Sequence, residues 1–550
     1  MEISILQTLS IFVCTFALWT FLRSFLISSP LSNIAGPPSP SWWKGSNFGQ
    51  VFNSNAWAFH EHLAKAYGSV VRIKGFFGAD QLFVFDPLAL HHIVVKDQYI
   101  YEETAPFLVG NKLIFGSSLI STLGEHHRKQ RKMLNPVFSP KHMRDLVPTF
   151  YPIAYQLRDL LVKKVSAGQE ELDMTMWMGR AAMEYIGQGG MGYSFDSLDE
   201  TKTNRYHDAS KNFGHIFSVL FALRPVLPYV VRVGSPSLRR KFLDVLPIKY
   251  LQKAKVFIDV MHEESISVYE SRKAALLEGE EAVDQQIGKG KDILSILLKA
   301  NMASNEEDRL PEEEVVGQIN TFIFAGHDTT TLAISRILHQ LCLHQDVQEK
   351  LRNEVKAARK HYGDPEYETL MGLPFLDAVC RETLRVFPPL SSISRTTRKD
   401  VVLPLMFPMK SADGKSEIRE IPIKKNTNVI ISILSANRNK AVWGEDAEEW
   451  KPERWLGKTP DEVAKARLPG VYSSMMTFLG GGRACIGFKF SELEMKIVLF
   501  VLLQSFIFSP GSSEIEWVMR GLATPIIKNS GDAKRTMPMK LALIRDDDEA

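Results

Sequence analysis

The sequence predicts a mostly helical fold edged by small β-sheets. Two observations carry this. From about residue 87 onward, apolar residues recur at helical spacing over long stretches. Period-two alternation, the mark of half-buried strands, is confined to short regions within 69–85, 401–433 and 539–544. The chain shows no internal repeat.

The first element is an apolar span. Ile3 to Leu22 carries no charged residue. As a helix it would cross about 30 Å, the thickness of a bilayer core. A cleaved signal peptide has a shorter apolar region, roughly 7–15 residues, and a small-x-small cleavage site, which is not evident here. A retained membrane anchor over residues 1–28 is therefore expected. Glu2 precedes the span while Arg23 and Lys44 follow it, which places the remainder on the cytoplasmic side. Gly36-Pro37-Pro38-Ser39-Pro40 stiffens the backbone into a spacer, so residues 29–45 read as a proline-rich hinge. Length alone suggests several domains. The motifs below need distant segments around one site, so residues 46–550 are expected to form one domain.

Behind the hinge, Ser69 to Lys74 and Gln81 to Phe85 read as strands around Gly75 and Gly78. Residues 277–291 are polar and glycine-bearing, and read as a surface loop. Pro311 to Leu341 lacks internal proline and is strongly periodic. Pro311 suits the first helical turn, and Glu312, Glu313 and Glu314 suit the positive end of a helix. Residues 401–433 alternate again, with Asp413-Gly414 and Asn426 as turn residues. A last strand is expected from Met539 to Ile544.

Lys plus Arg number 66 and Asp plus Glu 63, a net charge of +3. Such balance argues against a nucleic-acid partner. Cys14, Cys342, Cys380 and Cys485 stand far apart, a pattern for neither a disulfide framework nor a structural zinc site. The body of the chain suits a reducing compartment.

The sharpest chemical signal is Phe478-Leu479-Gly480-Gly481-Gly482-Arg483-Ala484-Cys485-Ile486-Gly487. A lone cysteine is most often a small buried hydrophobe. A packing cysteine does not need three preceding glycines and a flanking arginine. Glycines let the backbone bend so that N–H groups point at the sulfur, and a helix behind the loop adds its positive end. Both stabilise a thiolate able to bind a metal. The decapeptide matches F-x-x-G-x-R-x-C-x-G and resembles the haem-binding loop of the cytochrome P-450 family, with Leu479 where a small or polar residue is commoner. The resemblance implies a single P-450-type, haem-thiolate catalytic domain behind an N-terminal transmembrane helix. It implies haem b with Cys485 as axial ligand, Arg483 on a propionate and Phe478 in the cofactor site.

Ala325-Gly326-His327-Asp328-Thr329-Thr330 lies mid-helix. By itself it reads equally as a polar stripe with a tolerated glycine. Beside the cysteine loop it resembles the family motif (A/G)-G-x-(D/E)-T-(T/S). The resemblance implies that Thr329 hydrogen-bonds the bound dioxygen and that Asp328 relays protons from solvent. His327 reads as a packing or surface residue.

Glu382-Thr383-Leu384-Arg385 puts opposite charges on one helix face, and Phe387-Pro388-Pro389 ends that helix. With Pro452-Glu453-Arg454-Trp455, this resembles the family's structural triad, here Glu382, Arg385 and Arg454, with Trp455 for the commoner phenylalanine. The resemblance also assigns Arg395, at the start of a strand, to a propionate. His127 and Arg131 stand where the family has W-x-x-x-R, and are implied to face the haem as well. Arg128, Lys129, Arg131 and Lys132 otherwise form a solvated basic face, which would suit an acidic electron donor.

The resemblance implies a pocket lined by Leu108–Leu123, Ser218–Val226, Phe322–Thr330, Leu390–Ser394 and Leu522–Ile526, segments that are largely apolar. Pro225 to Val231 suits either membrane contact or core packing. The resemblance implies a monooxygenase inserting one oxygen atom from O2 into an apolar small molecule. The style is similar to fungal members of secondary metabolite biosynthesis, with a terpenoid or related substrate. Implied partners are NADPH–cytochrome P-450 reductase, cytochrome b5 and the endoplasmic reticulum membrane, with the catalytic domain facing the cytoplasm. A haem-thiolate isomerase or dehydratase acting on a peroxide is the alternative, and a non-catalytic haem sensor a third. Asp328-Thr329 argues against both, because neither needs proton delivery.

Overall fold

The longest helix forms where periodicity is strongest and proline is absent. In the computed structural model it runs Glu312–Leu343, with three glutamates in its first turn and most of its residues buried. Pro311 lies just outside it, as the extended N-cap residue rather than in the first turn. The structure describes residues 15, 29–41, 46–202, 205–206, 216, 219–531 and 534–544. The expected anchor over residues 1–28 lies outside them save for Thr15. No helix among the described residues is long and apolar enough to cross a membrane.

The chain divides into two compact units. The smaller draws on Met1–Thr104, Leu390–Ala447 and Pro460–Arg483. Its strands are β1 (Val70–Lys74), β2 (Asp80–Val84), β3 (Tyr101–Glu103), β4 (Ser392–Thr397), β5 (Val401–Lys410), β6 (Glu417–Ile423) and β7 (Asn428–Ser432). Five form one sheet in the order β1-β2-β7-β4-β3, parallel only between β2 and β7. Leu82, Phe83 and Val84 lie beside Val429, Ile430 and Ile431 at its centre, all fully buried. Burial on both faces explains these near-continuous apolar runs. β5 and β6 pair separately around Asp413-Gly414, where Gly414 takes a positive φ. Arg395 sits within β4 rather than at its start.

The larger unit draws on Ala105–Pro389, Glu448–Thr459 and Ala484–Ala550, and is mainly helical. The helices used below are α1 (Gly124–Leu134), α2 (Pro140–Ser166), α3 (Met174–Glu184), α4 (Pro236–Val245), α5 (Lys249–Glu278), α6 (Glu312–Leu343), α7 (Pro374–Val386) and α8 (Phe488–Leu502). α8 follows the cysteine loop and is buried without interruption from Leu493 to Leu502. Each such aliphatic contributes about 1.5–3 kcal/mol on leaving water. Phe490 of α8 meets Phe150 of α2 edge to face, with centroids 5.1 Å apart. The loop expected over 277–291 is partly helical. α5 runs to Glu278, a short helix covers Glu280–Asp284, and Val283 buries its side chain. The final strand covers Pro538–Leu543 and pairs with Phe506–Pro510 and Glu171–Asp173.

Candidate active site

In the smaller unit the glycine loop packs backbone against backbone. Gly481 takes φ +66°, and a Cβ there would lie 1.8 Å from the Val94 carbonyl oxygen. A Cβ on Gly480 would lie 1.5 Å from the Pro469 carbonyl. Only glycine permits these approaches. The Gly482 N–H donates to the Gln98 side chain at 2.8 Å. Phe478 stacks edge-on with Tyr472, centroids 5.6 Å apart. Arg483 and Arg395 converge on the Glu103 carboxylate, each at 3.3 Å and on a different oxygen. Glu103 stands directly opposite Arg395 across β3 and β4.

In the larger unit, Cys485 lies ahead of α8, whose N-cap is Gly487. The residue is exposed, yet protein packs around its sulfur closely enough that desolvation dominates the thiol. Burial pushes the thiol above the ordinary cysteine range, while the Gly487 N–H and the Arg131 cation pull it back. Arg131 on α1 donates to the Ala484 carbonyl at 2.6 Å. His127, one turn earlier, is buried. α1 is a narrower basic face than its sequence suggests. Arg131 turns toward Ala484, Lys129 donates to the Glu307 and Arg309 carbonyls, and exposed Arg128 pairs with Glu125.

On α6, Ala325 is exposed and Thr329 half-buried, whereas His327, Asp328, Thr330 and Thr331 are buried. Residues i and i+4 share a helix face, so Ala325 and Thr329 lie on one accessible strip. The Thr329 hydroxyl donates to the Ala325 carbonyl at 2.8 Å. Asp328 points elsewhere: its Oδ1 accepts from Arg535 Nη1 at 2.7 Å and lies 3.6 Å from His327 Nδ1. His327 is a packing residue beneath Gly179, held neutral-leaning by burial, which lowers its pKa.

Glu382 on α7 is completely buried, as is Arg385. The Arg385 guanidinium grips both carboxylate oxygens, at 2.7 and 2.8 Å. Arg454 Nε adds a contact at 3.3 Å, Trp455 Nε1 one at 2.9 Å, and the Lys451 N–H one at 3.1 Å. Five donor contacts on one carboxylate satisfy a charge that would otherwise be costly to bury.

The residues of each unit, taken by itself, suit a haem. Cys485 offers a sulfur served by a backbone N–H and a cation. On α6, Ala325 and Thr329 present small side chains on one face. Within the smaller unit, Arg395 and Arg483 bring two cations to one carboxylate, a charge suited to an anionic edge. Among the described residues, no three His, Cys, Asp or Glu side chains gather as a metal-ligating group.

A family model for cytochrome P450 matches residues 35–529. The chain belongs to the cytochrome P450 family. It is 49% identical to cytochrome P450 monooxygenase 91 of Postia placenta over 96% of this chain and 97% of the relative. It is 40% identical to ganoderic acid synthetase CYP5150L8 of Ganoderma lucidum, over 96% of each. It is 35% identical to cytochrome P450 monooxygenase eriI of Hericium erinaceus, over 96% of this chain and 97% of that one. As a cytochrome P450 it is a monooxygenase that binds haem through a cysteine thiolate and needs a redox partner and a small-molecule substrate. Three residues of this P450 escape a reading of its sequence. Glu103 looks like half of a surface acid pair with Glu102. Arg535 lies in a polar tail without periodicity. Trp455 is visible as a substitution but not as a hydrogen-bond donor to Glu382.

Proposed function

We propose that this cytochrome P450 inserts one oxygen atom from O2 into an apolar natural product, with a terpenoid as the preferred class, in fungal secondary metabolism. The name of the Ganoderma relative supports a natural-product substrate. Electrons come from NADPH through cytochrome P-450 reductase, with cytochrome b5 as a second donor. Cys485 would hold the haem iron, and the observation that carries this is its sulfur at the start of α8, beside the Gly487 N–H and Arg131. When bound, haem supplies the activation of dioxygen.

The chain's own residues do the rest. The Gly487 N–H and Arg131 offset part of the burial that disfavours a thiolate, and the α8 N-terminus acts in the same direction, so that iron binding would complete the deprotonation. Arg395 and Arg483 neutralise the propionates, and His127, Arg131 and Phe478 complete the cofactor's surroundings. Ala325 leaves room beside Thr329. Because the Thr329 hydroxyl already donates to Ala325, its lone pairs are what a water can bond to. Asp328, adjacent to Thr329 in sequence and ion-paired with Arg535, is the solvent-side proton relay in this reading. Glu382, Arg385 and Arg454 hold the segment that precedes the haem loop.

Localisation to the endoplasmic reticulum membrane, anchored by residues 1–28 and facing the cytoplasm, belongs to the same proposal. It is supported by apolar side chains exposed in the larger unit: Val226, Tyr229, Val233, Leu238, Phe242 and Val245. On α4, Leu238, Phe242 and Val245 share one face, as on a helix lying in a lipid interface.

The experiment combines microsomes bearing this chain, reductase, NADPH and candidate terpenoids. Product formation and NADPH use should require O2 and reductase. Conversion of substrate without an electron donor would overturn the reading. Cys485→Ala should abolish the red-shifted ferrous–CO absorption of thiolate-bound haem, and a normal band in that variant would remove Cys485 as ligand.

A further inference from the structure

The Arg395–Glu103–Arg483 arrangement is more than two propionate arginines. All three groups belong to the smaller unit, so their geometry is set within it. Side-chain exposure is 8% for Arg395, 6% for Glu103 and 19% for Arg483. Glu103 Oε1 faces Arg395 and Oε2 faces Arg483, both at 3.3 Å. Two guanidinium cations thus flank one carboxylate. Without that carboxylate, two nearly buried like charges would repel each other.

Backbone pairing aims Glu103. It lies opposite Arg395 in the β3–β4 register, and its carbonyl accepts from Arg398 Nη2 at 2.7 Å. Arg398 Nε also holds Glu102 at 3.0 Å. The last residue of β3 therefore has its backbone tied from two sides, and its side chain can reach only inward. Arg395 is tied too, with Nη1 donating to the Ser394 carbonyl at 3.0 Å. A guanidinium carries five N–H donors, so facing one carboxylate does not use all of its hydrogen-bonding capacity.

We propose that Glu103 is the positioning residue of the haem propionate clamp. It holds Arg395 and Arg483 side by side and offsets part of their combined charge. The inference rests on the reading that these two arginines bind the propionates. A fixed carboxylate behind the clamp has two consequences. It pre-organises both guanidinium groups, so haem is retained longer. It also places a buried negative charge near the cofactor's edge, which disfavours adding an electron to the iron and lowers its midpoint potential.

The test uses the full-length, haem-loaded chain. Haem loss is followed by transfer to apomyoglobin, and the midpoint potential by spectroelectrochemical titration. Neither depends on turnover. Glu103→Gln should shed haem about tenfold faster, the lower end of what loss of a supporting carboxylate costs. It should also shift the potential upward. Glu103→Asp keeps the charge but shortens the reach, so haem loss should quicken while the potential stays put. Arg395→Gln and Arg483→Gln report on the parent reading: if neither quickens haem loss, the propionate assignment itself falls. If they do, while Glu103→Gln leaves loss rate and potential at wild-type values, the positioning role of Glu103 is overturned. Should Glu103→Gln fail to fold, Glu103→Asp decides alone, and wild-type haem loss in that variant would sink the proposal.

Discussion

Thr329 and Trp455 show how much one polar atom can carry. The Thr329 hydroxyl bonds Ala325 on the accessible strip of a helix whose neighbouring polar groups are buried. Thr329→Ala should leave haem content unchanged but divert reducing equivalents to hydrogen peroxide, read as peroxide released per NADPH consumed. Unchanged coupling would take Thr329 out of proton delivery. Trp455 donates to the fully buried Glu382 at 2.9 Å. Trp455→Phe keeps the ring and removes that donor. Hydrogen bonds to buried charged groups are worth about 1.5–3 kcal/mol, so unfolding should become easier by roughly 2 kcal/mol in urea titration. A variant as stable as the parent would show that the remaining donors suffice. The substitution of tryptophan for phenylalanine was legible in the sequence. Its consequence was not, because nothing local in Pro452-Glu453-Arg454-Trp455 says where the indole N–H points.

Among the elements, the glycine loop and α6 were the most legible. Consecutive glycines mark a backbone path closed to side chains, and an uninterrupted helical period without proline marks a long helix. What the loop glycines avoid is visible only in three dimensions: the Val94 carbonyl for Gly481 and the Pro469 carbonyl for Gly480. Gly481→Ala meets that carbonyl and also forces a positive φ on an alanine. Haem incorporation should fall sharply, measured as haem absorbance per mole of protein. Gly457→Ala, where an added Cβ meets nothing within 4 Å, is the control and should incorporate haem normally. Across 277–291, charge and glycine content point to a loop and hide a short helix that buries Val283.

At the scale of the whole molecule, stability should respond to acid through His339. Burial and the nearby Arg336 push this imidazole down to about 4, and its Nδ1 accepts from Trp517 Nε1 at 3.1 Å. The unfolded chain takes up the proton at ordinary histidine pH, so below about pH 6.5 protons favour unfolding. Stability is complete above that pH and declines as it falls toward about 4, by at most about 3 kcal/mol from this group. Melting temperature should drop between pH 7 and pH 5, and His339→Gln should shrink the drop. An equal drop in both proteins would assign the acid sensitivity to other groups.

The sequence by itself determined what repeats or sits close together: the long helix, the cysteine loop, the Glu382–Arg385 pair and the three strand regions. Periodicity and short spacing suffice there, because one turn or one loop brings the groups into contact. Only the tertiary structure decided which lone charges meet. Asp328 finds Arg535, and Glu103 gathers Arg395 and Arg483, from remote stretches of chain. A solitary charge has no period and no neighbour to betray its partner. Burial makes that partner obligatory, and packing alone selects it.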